Sequence, residues 1–97
     1  MNFNNLKLSK WKVHNRTSIV KECILDGRET KIGLFGSEPT GWRFFINHTI
    51  NISECIELED LFVKIYGKMY FQKHELKDMK TKVVRFIKNI EKLKAFI

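Results

Sequence analysis

The sequence predicts an α+β domain, an N-terminal antiparallel β-meander of three to four strands packed against two C-terminal α-helices. Three observations lead there. Residues 17–50 alternate apolar and polar side chains with the period of two that a half-buried strand requires. Asp26-Gly27 interrupts that alternation with the dipeptide that best supplies the positive φ angles of a tight hairpin. Beyond Asn51 the apolar residues recur with helical period instead. One core is all that 97 residues can bury well, so a single domain spanning 1–97 is expected.

Taken in order, a weaker first strand is expected over Leu6–His14, placing Trp11 and Val13 on a shared face. The β-branched run Thr17–Leu25 is a stronger strand, with Ile19, Lys21, Cys23 and Leu25 on one side and Val20, Glu22 and Ile24 on the other. After the turn, Glu29–Phe35 returns with Thr30, Ile32 and Leu34 alternating against Lys31, Gly33 and Phe35. Gly36–Gly41, which contains the only Pro, has loop chemistry. Trp42–Ile50 forms the next strand, with Trp42, Phe44, Ile46 and Ile50 facing one way and Arg43, Phe45, Asn47 and Thr49 the other. A meander of this kind has one buried face.

A first helix is expected over about 53–66, capped by Asn51 or Ser53 and carrying Leu58, Leu61, Phe62, Ile65 and Met69 at helical spacing. Its opening acids, Glu54 to Asp60, suit the positive end of a helix dipole. Gly67 ends or weakens it. A single helix onward from Asn51 would be about 70 Å long, too long for so small a domain, so a break is expected within 67–74. From 75 to 97 a second helix gathers Leu76, Met79, Val83, Phe86, Ile87, Ile90, Leu93 and Ile97 into one arc. That arc covers the sheet.

The charge is unevenly spread. Residues 1–60 carry eight bases and eight acids, whereas 61–97 carry ten bases against three acids, so the whole formal excess of +7 lies in the second part. Lys, Ile, Asn and Phe supply 40 of 97 residues, a skew that follows A/T-rich codons and suits a low-GC bacterium, a phage or another mobile element. Codon bias raises the lysine count; it does not explain why the net charge avoids residues 1–60.

From that distribution the leading expectation is a small, basic, non-enzymatic module that engages a polyanion, most readily nucleic acid, through its last helix. Lys77, Arg85, Lys88 and Lys92 project from successive turns of it. Lys10, Lys12 and Arg43 add cations beside aromatic residues, and Phe45 and Tyr70 fall on faces opposite the expected core, where exposed rings could stack on bases. The bland counter-reading is a solvated helix face with the aromatic residues in the core. The alternative function is an inhibitor or immunity-type protein, encoded by a mobile element, that binds an acidic protein surface. A third reading pairs His14 and His48 as general acid and base of a small ribonuclease, with Arg43 or Lys12 binding phosphate.

No cofactor and no metal site is expected: His14, Cys23, His48, Cys55 and His74 have no ligand-like spacing. Two cysteines 31 residues apart make no disulfide framework. No apolar run approaches the roughly 18 residues of a membrane span. The opening Met1–Lys7 has no hydrophobic segment of a secretory signal, which leads to an expected cytoplasmic location. Sheet edges without evident guards leave a homodimer open.

Overall fold

A computed structural model describes residues 1–49 and 51–96 of the chain. Four strands, β1 (Lys12–Asn15), β2 (Ser18–Leu25), β3 (Arg28–Ser37) and β4 (Gly41–Asn47), form one antiparallel sheet in the order β1-β2-β3-β4. Two helices, α1 (Ile52–Tyr66) and α2 (Leu76–Lys88), follow, and a short α3 (Ile90–Leu93) closes the described chain with a 3₁₀ turn over Lys94–Phe96. The fold is α+β, as the pattern predicts.

The central hairpin forms where Asp26-Gly27 places it. Both residues adopt positive φ, 52° and 77°, and β2 pairs with β3 in unbroken register from Leu25–Arg28 to Ser18–Phe35. That register puts Cys23, Leu25, Thr30, Ile32, Leu34, Phe44 and Ile46 on the buried side. Strand β3 runs two residues beyond the expected Phe35, because Gly36 and Ser37 still pair with Trp42 and Gly41, and only Glu38–Thr40 remain as turn. Strand β4 is shorter than expected and ends at Asn47; Ile50, assigned to it by pattern, lies outside the described residues, as does Ile97 of the last helix.

Phe44 lies at the centre of the core. Its ring stacks on Phe62 of α1 at 4.5 Å and meets Phe86 of α2 edge-on at 5.4 Å, so one strand residue joins both helices to the sheet. Gly67 stops α1 in the left-handed conformation that glycine adopts without strain, its N–H donating to Val63 O. Ile65 on α1 is 41% exposed, and Met69, past the end of the helix, is 38% exposed, correcting their expected place in the helical apolar stripe.

Four further differences have local causes. The first strand spans only Lys12–Asn15: residues before it are held beside β2 by Ser9, whose N–H donates to Glu22 O and whose Oγ accepts from Glu22 N–H, which is no regular ladder. Val13 is consequently 79% exposed while Trp11 packs against the core, so the two share no buried face. Val20 is buried although it alternates with Cys23 and Leu25, so β2 buries side chains on both of its faces. The final helix breaks at Asn89, whose side-chain amide donates to Arg85 O at 2.8 Å, an alternative to helix continuation that asparagine characteristically offers. Finally, the edge of β4 is closed. Trp42 and Phe71 exchange both backbone hydrogen bonds at 2.8 Å, and Glu59 of α1 accepts the Ile46 N–H at 3.2 Å. The expected break within 67–74 is thus the segment that guards this edge. The opposite edge, β1, is short and irregular between Val13 and Asn15, features that disfavour strand-to-strand association.

Candidate functional site

Helix α2 buries Met79, Val83, Phe86 and Ile87 against the sheet. That choice of buried face leaves Lys77, Arg85 and Lys88 exposed and Lys80 half-buried, and sets Lys80, Arg85 and Lys88 beside Trp11 and Lys21 at the β1–β2 end of the sheet. Between α2 and that end lies a cleft of about 520 Å³ lined by Trp11, Lys21, Lys80, Arg85, Lys88 and Asn89 among others. Four cations and no carboxylate line it. None of the four forms an ion pair among the described residues.

Two of these cations come together through the indole. The Lys21 ammonium lies 5.4 Å and the Lys80 ammonium 5.8 Å from the Trp11 ring centroid, both within cation–π range. Lys21 also donates to Ser9 O at 2.8 Å, which fixes its head at the base of the cleft. Burial, and secondarily repulsion from Lys88, hold the Lys21 amine below its ordinary pKa. An anion placed between Lys21 and Lys88 would relieve that repulsion. Chemically the cleft can bind an anion and neutralise it. Among the described residues it holds no carboxylate, histidine or thiol to act as a base or nucleophile.

The nine residues selected from the sequence do not form one site. Arg85 and Lys88 line the cleft. Lys77 is exposed on the same helix, and Lys92 is exposed on α3 beyond the Asn89 break. Lys10 is exposed, but Lys12 is bound to Glu22 at 2.6 Å. Arg43, Phe45 and Tyr70 belong to the β4 side, across the sheet from the cleft. Arg43 is also not free: its guanidinium pairs with Glu59 at 3.4 Å, touches Met69 Sδ at 3.7 Å and lies over the Phe35 ring. Phe45 is half-buried edge-on to Phe35, whereas Tyr70 is exposed as expected. Lys21, Lys80 and Trp11 were not selected. Lys21 carried a readable signal, since it alternates with Ile19 and Cys23 on the apolar side of its strand.

The proposed histidine pair is not assembled. His14 sits exposed on β1, and His48 is buried just past β4, on the far edge of the sheet, with Nε2 3.0 Å from Leu25 O. Both cysteines are buried thiols; burial pushes Cys23 up to about 11 and raises Cys55 as well. Among the described residues no three His, Cys, Asp or Glu side chains cluster as metal ligands do. No described helix is long and apolar enough to cross a membrane. No protein-family model, curated protein or solved structure matches this chain.

Proposed function

We propose that the protein is a non-enzymatic binding module that holds a nucleic-acid backbone in the cleft between α2 and β2. The observation that carries this reading is the convergence of Lys21, Lys80, Arg85 and Lys88 on one hollow without a carboxylate among its lining residues. An uncompensated cluster of this kind repels itself, so it is stabilised by a ligand that brings negative charge. Phosphates do this and release counterions as they bind, so affinity falls linearly with log salt.

The test is oligonucleotide binding by fluorescence anisotropy across a salt series, with the chain and its triple variant Lys80→Gln, Arg85→Gln, Lys88→Gln. Three lost phosphate contacts flatten the log–log salt slope by about 2–3 units. An unchanged slope, or no salt-dependent binding by the unaltered chain, overturns the proposal.

A second reading, a protein-blocking module, draws on a different surface. Phe35 is 40% exposed, edge-on to Phe45, with the Arg43 guanidinium over it and Met69 Sδ 3.7 Å from that guanidinium. Aromatic residues, Met and Arg are the enriched types at protein interfaces. A stoichiometric protein partner retained after nuclease treatment, and lost with Phe35→Ala, would favour this reading over the cleft.

A further inference from the structure

On that reading of the cleft, we infer that its nucleic acid is single-stranded, and that one unpaired base occupies an adjoining asparagine-rimmed hollow. The hollow, of about 480 Å³, shares Lys21, Val84 and Lys88 with the cleft, so the two form one continuous groove along α2.

The two halves differ in chemistry. Where the cleft presents cations, the hollow has Leu6, Leu8 and Ile87 among its lining, with Asn4 and Asn5 contributing amides. Each amide offers both donors and an acceptor, the combination displayed by a base edge, while the aliphatic wall suits a base face. The turn that carries them is built for presentation. Asn2 Oδ1 accepts the Asn4 N–H at 2.9 Å, and Asn5 takes the left-handed φ of 57°, leaving both side-chain amides without partners among the described residues. Glu91 also borders this hollow, where it accepts the Phe3 N–H at 3.2 Å. Its carboxylate, 3.8 Å from the Lys94 ammonium, offsets part of the Lys21 and Lys88 charge on this side, so the hollow is less cationic than the cleft and suits a neutral base better.

Accessibility selects the strand. Lys21 and Lys80 are half-buried, with their ammoniums held against Trp11 inside the cleft. A stiff duplex presents its phosphates on a broad cylinder and meets the exposed Arg85 and Lys88 more readily than the half-buried Lys21 and Lys80. A flexible single strand can place a phosphate beside these half-buried amines and turn its base aside, as grooves for single strands require. The Trp11 ring already holds the Lys21 and Lys80 ammoniums in cation–π range, so the base is assigned to the hollow and not to the indole.

The experiment measures binding of the full chain to a single strand, to the duplex of equal length, and to the same strand with abasic sugars, each across a salt series. The strand binds about tenfold more tightly than the duplex, and removing its bases costs about tenfold while the salt slope stays the same. The double variant Asn4→Ala, Asn5→Gly, which keeps a residue tolerant of positive φ, reproduces the abasic loss with the unaltered strand. Equal affinity for strand and duplex, or no loss with the abasic strand, overturns this inference and leaves the phosphate-binding cleft standing. Salt-insensitive or absent binding to all three probes overturns the cleft itself.

Discussion

Helices α1 and α2 cover the same face of the sheet and meet through the Phe44, Phe62 and Phe86 rings, yet they use charge in opposite ways. On α1 two of the four carboxylates, Glu54 and Glu59, have structural tasks. Glu59 covers the free Ile46 N–H and pairs with Arg43, and Glu54 binds Lys94 at 2.7 Å. Burial works to raise the Glu54 pKa, but the hydrogen bonds from Lys94 and the Met1 amine outweigh it and hold the carboxyl below its ordinary range. On α2 only Lys82, tied to Asp78, is similarly occupied, while Lys77, Lys80, Arg85 and Lys88 have no ion-pair partner among the described residues. Charge engaged in contacts within the fold is therefore found mainly on α1, and cations without an ion-pair partner among the described residues mainly on α2. A base count alone does not separate the two kinds.

Substitutions sharpen this contrast, beginning with the element both helices share. Phe86 is fully buried between Phe44 and Phe62. Phe86→Ala leaves a cavity there and costs about 3–5 kcal/mol, a large share of a small domain's stability. Denaturant unfolding measures it; a loss under about 1 kcal/mol would mean the two helices do not depend on this ring. Next in size is Glu59→Ala, which uncovers the Ile46 N–H and strips Arg43 of its carboxylate while the Arg43 Nε is buried without a partner among the described residues. The expected cost is about 1–3 kcal/mol with oligonucleotide affinity unchanged. The Lys80→Gln, Arg85→Gln, Lys88→Gln variant reverses that outcome: binding falls, and stability stays within about 0.5 kcal/mol of the parent chain. If both variants lose stability equally, the division of labour between the helices is wrong.

The sequence made the contrast only partly legible. Local chemistry was readable: Asp26-Gly27 for the hairpin, Gly67 for the end of α1, and the alternation that buries Ile32, Leu34 and Phe44. Features set by distant partners were not. Phe71 lies within the expected break, where nothing local shows that its backbone pairs with Trp42. Phe3, which enters the core, lies in a segment with no period to betray it. Arg43 looked available because its carboxylate, Glu59, is on another element. The cleft shows the same limit. Arg85 and Lys88 follow from helical spacing, but Lys21 and Trp11 reach them only through the way β2 and the segment before β1 are laid beside α2.

The smallest expected effect is a pH dependence, and it probes the structural side of the comparison alone. Burial raises the Glu59 carboxyl above its ordinary pKa, against the opposing pull of the Ile46 N–H and Arg43. Between the ordinary carboxylate range and the raised native value, the folded protein therefore holds more protons than the unfolded chain. Stability then declines with rising pH in that window, since it rises only where the unfolded state binds more. Glu59→Gln keeps the shape and an acceptor for Ile46 N–H but cannot ionise. Its stability relative to the parent chain should improve as pH climbs through the window, followed by denaturant melts between about pH 4 and pH 7. A difference that moves the other way would show that Arg43 stabilises the Glu59 charge more than burial opposes it. The β4 edge would then be held by a strong ion pair, and Arg43→Gln should cost as much as Glu59→Ala.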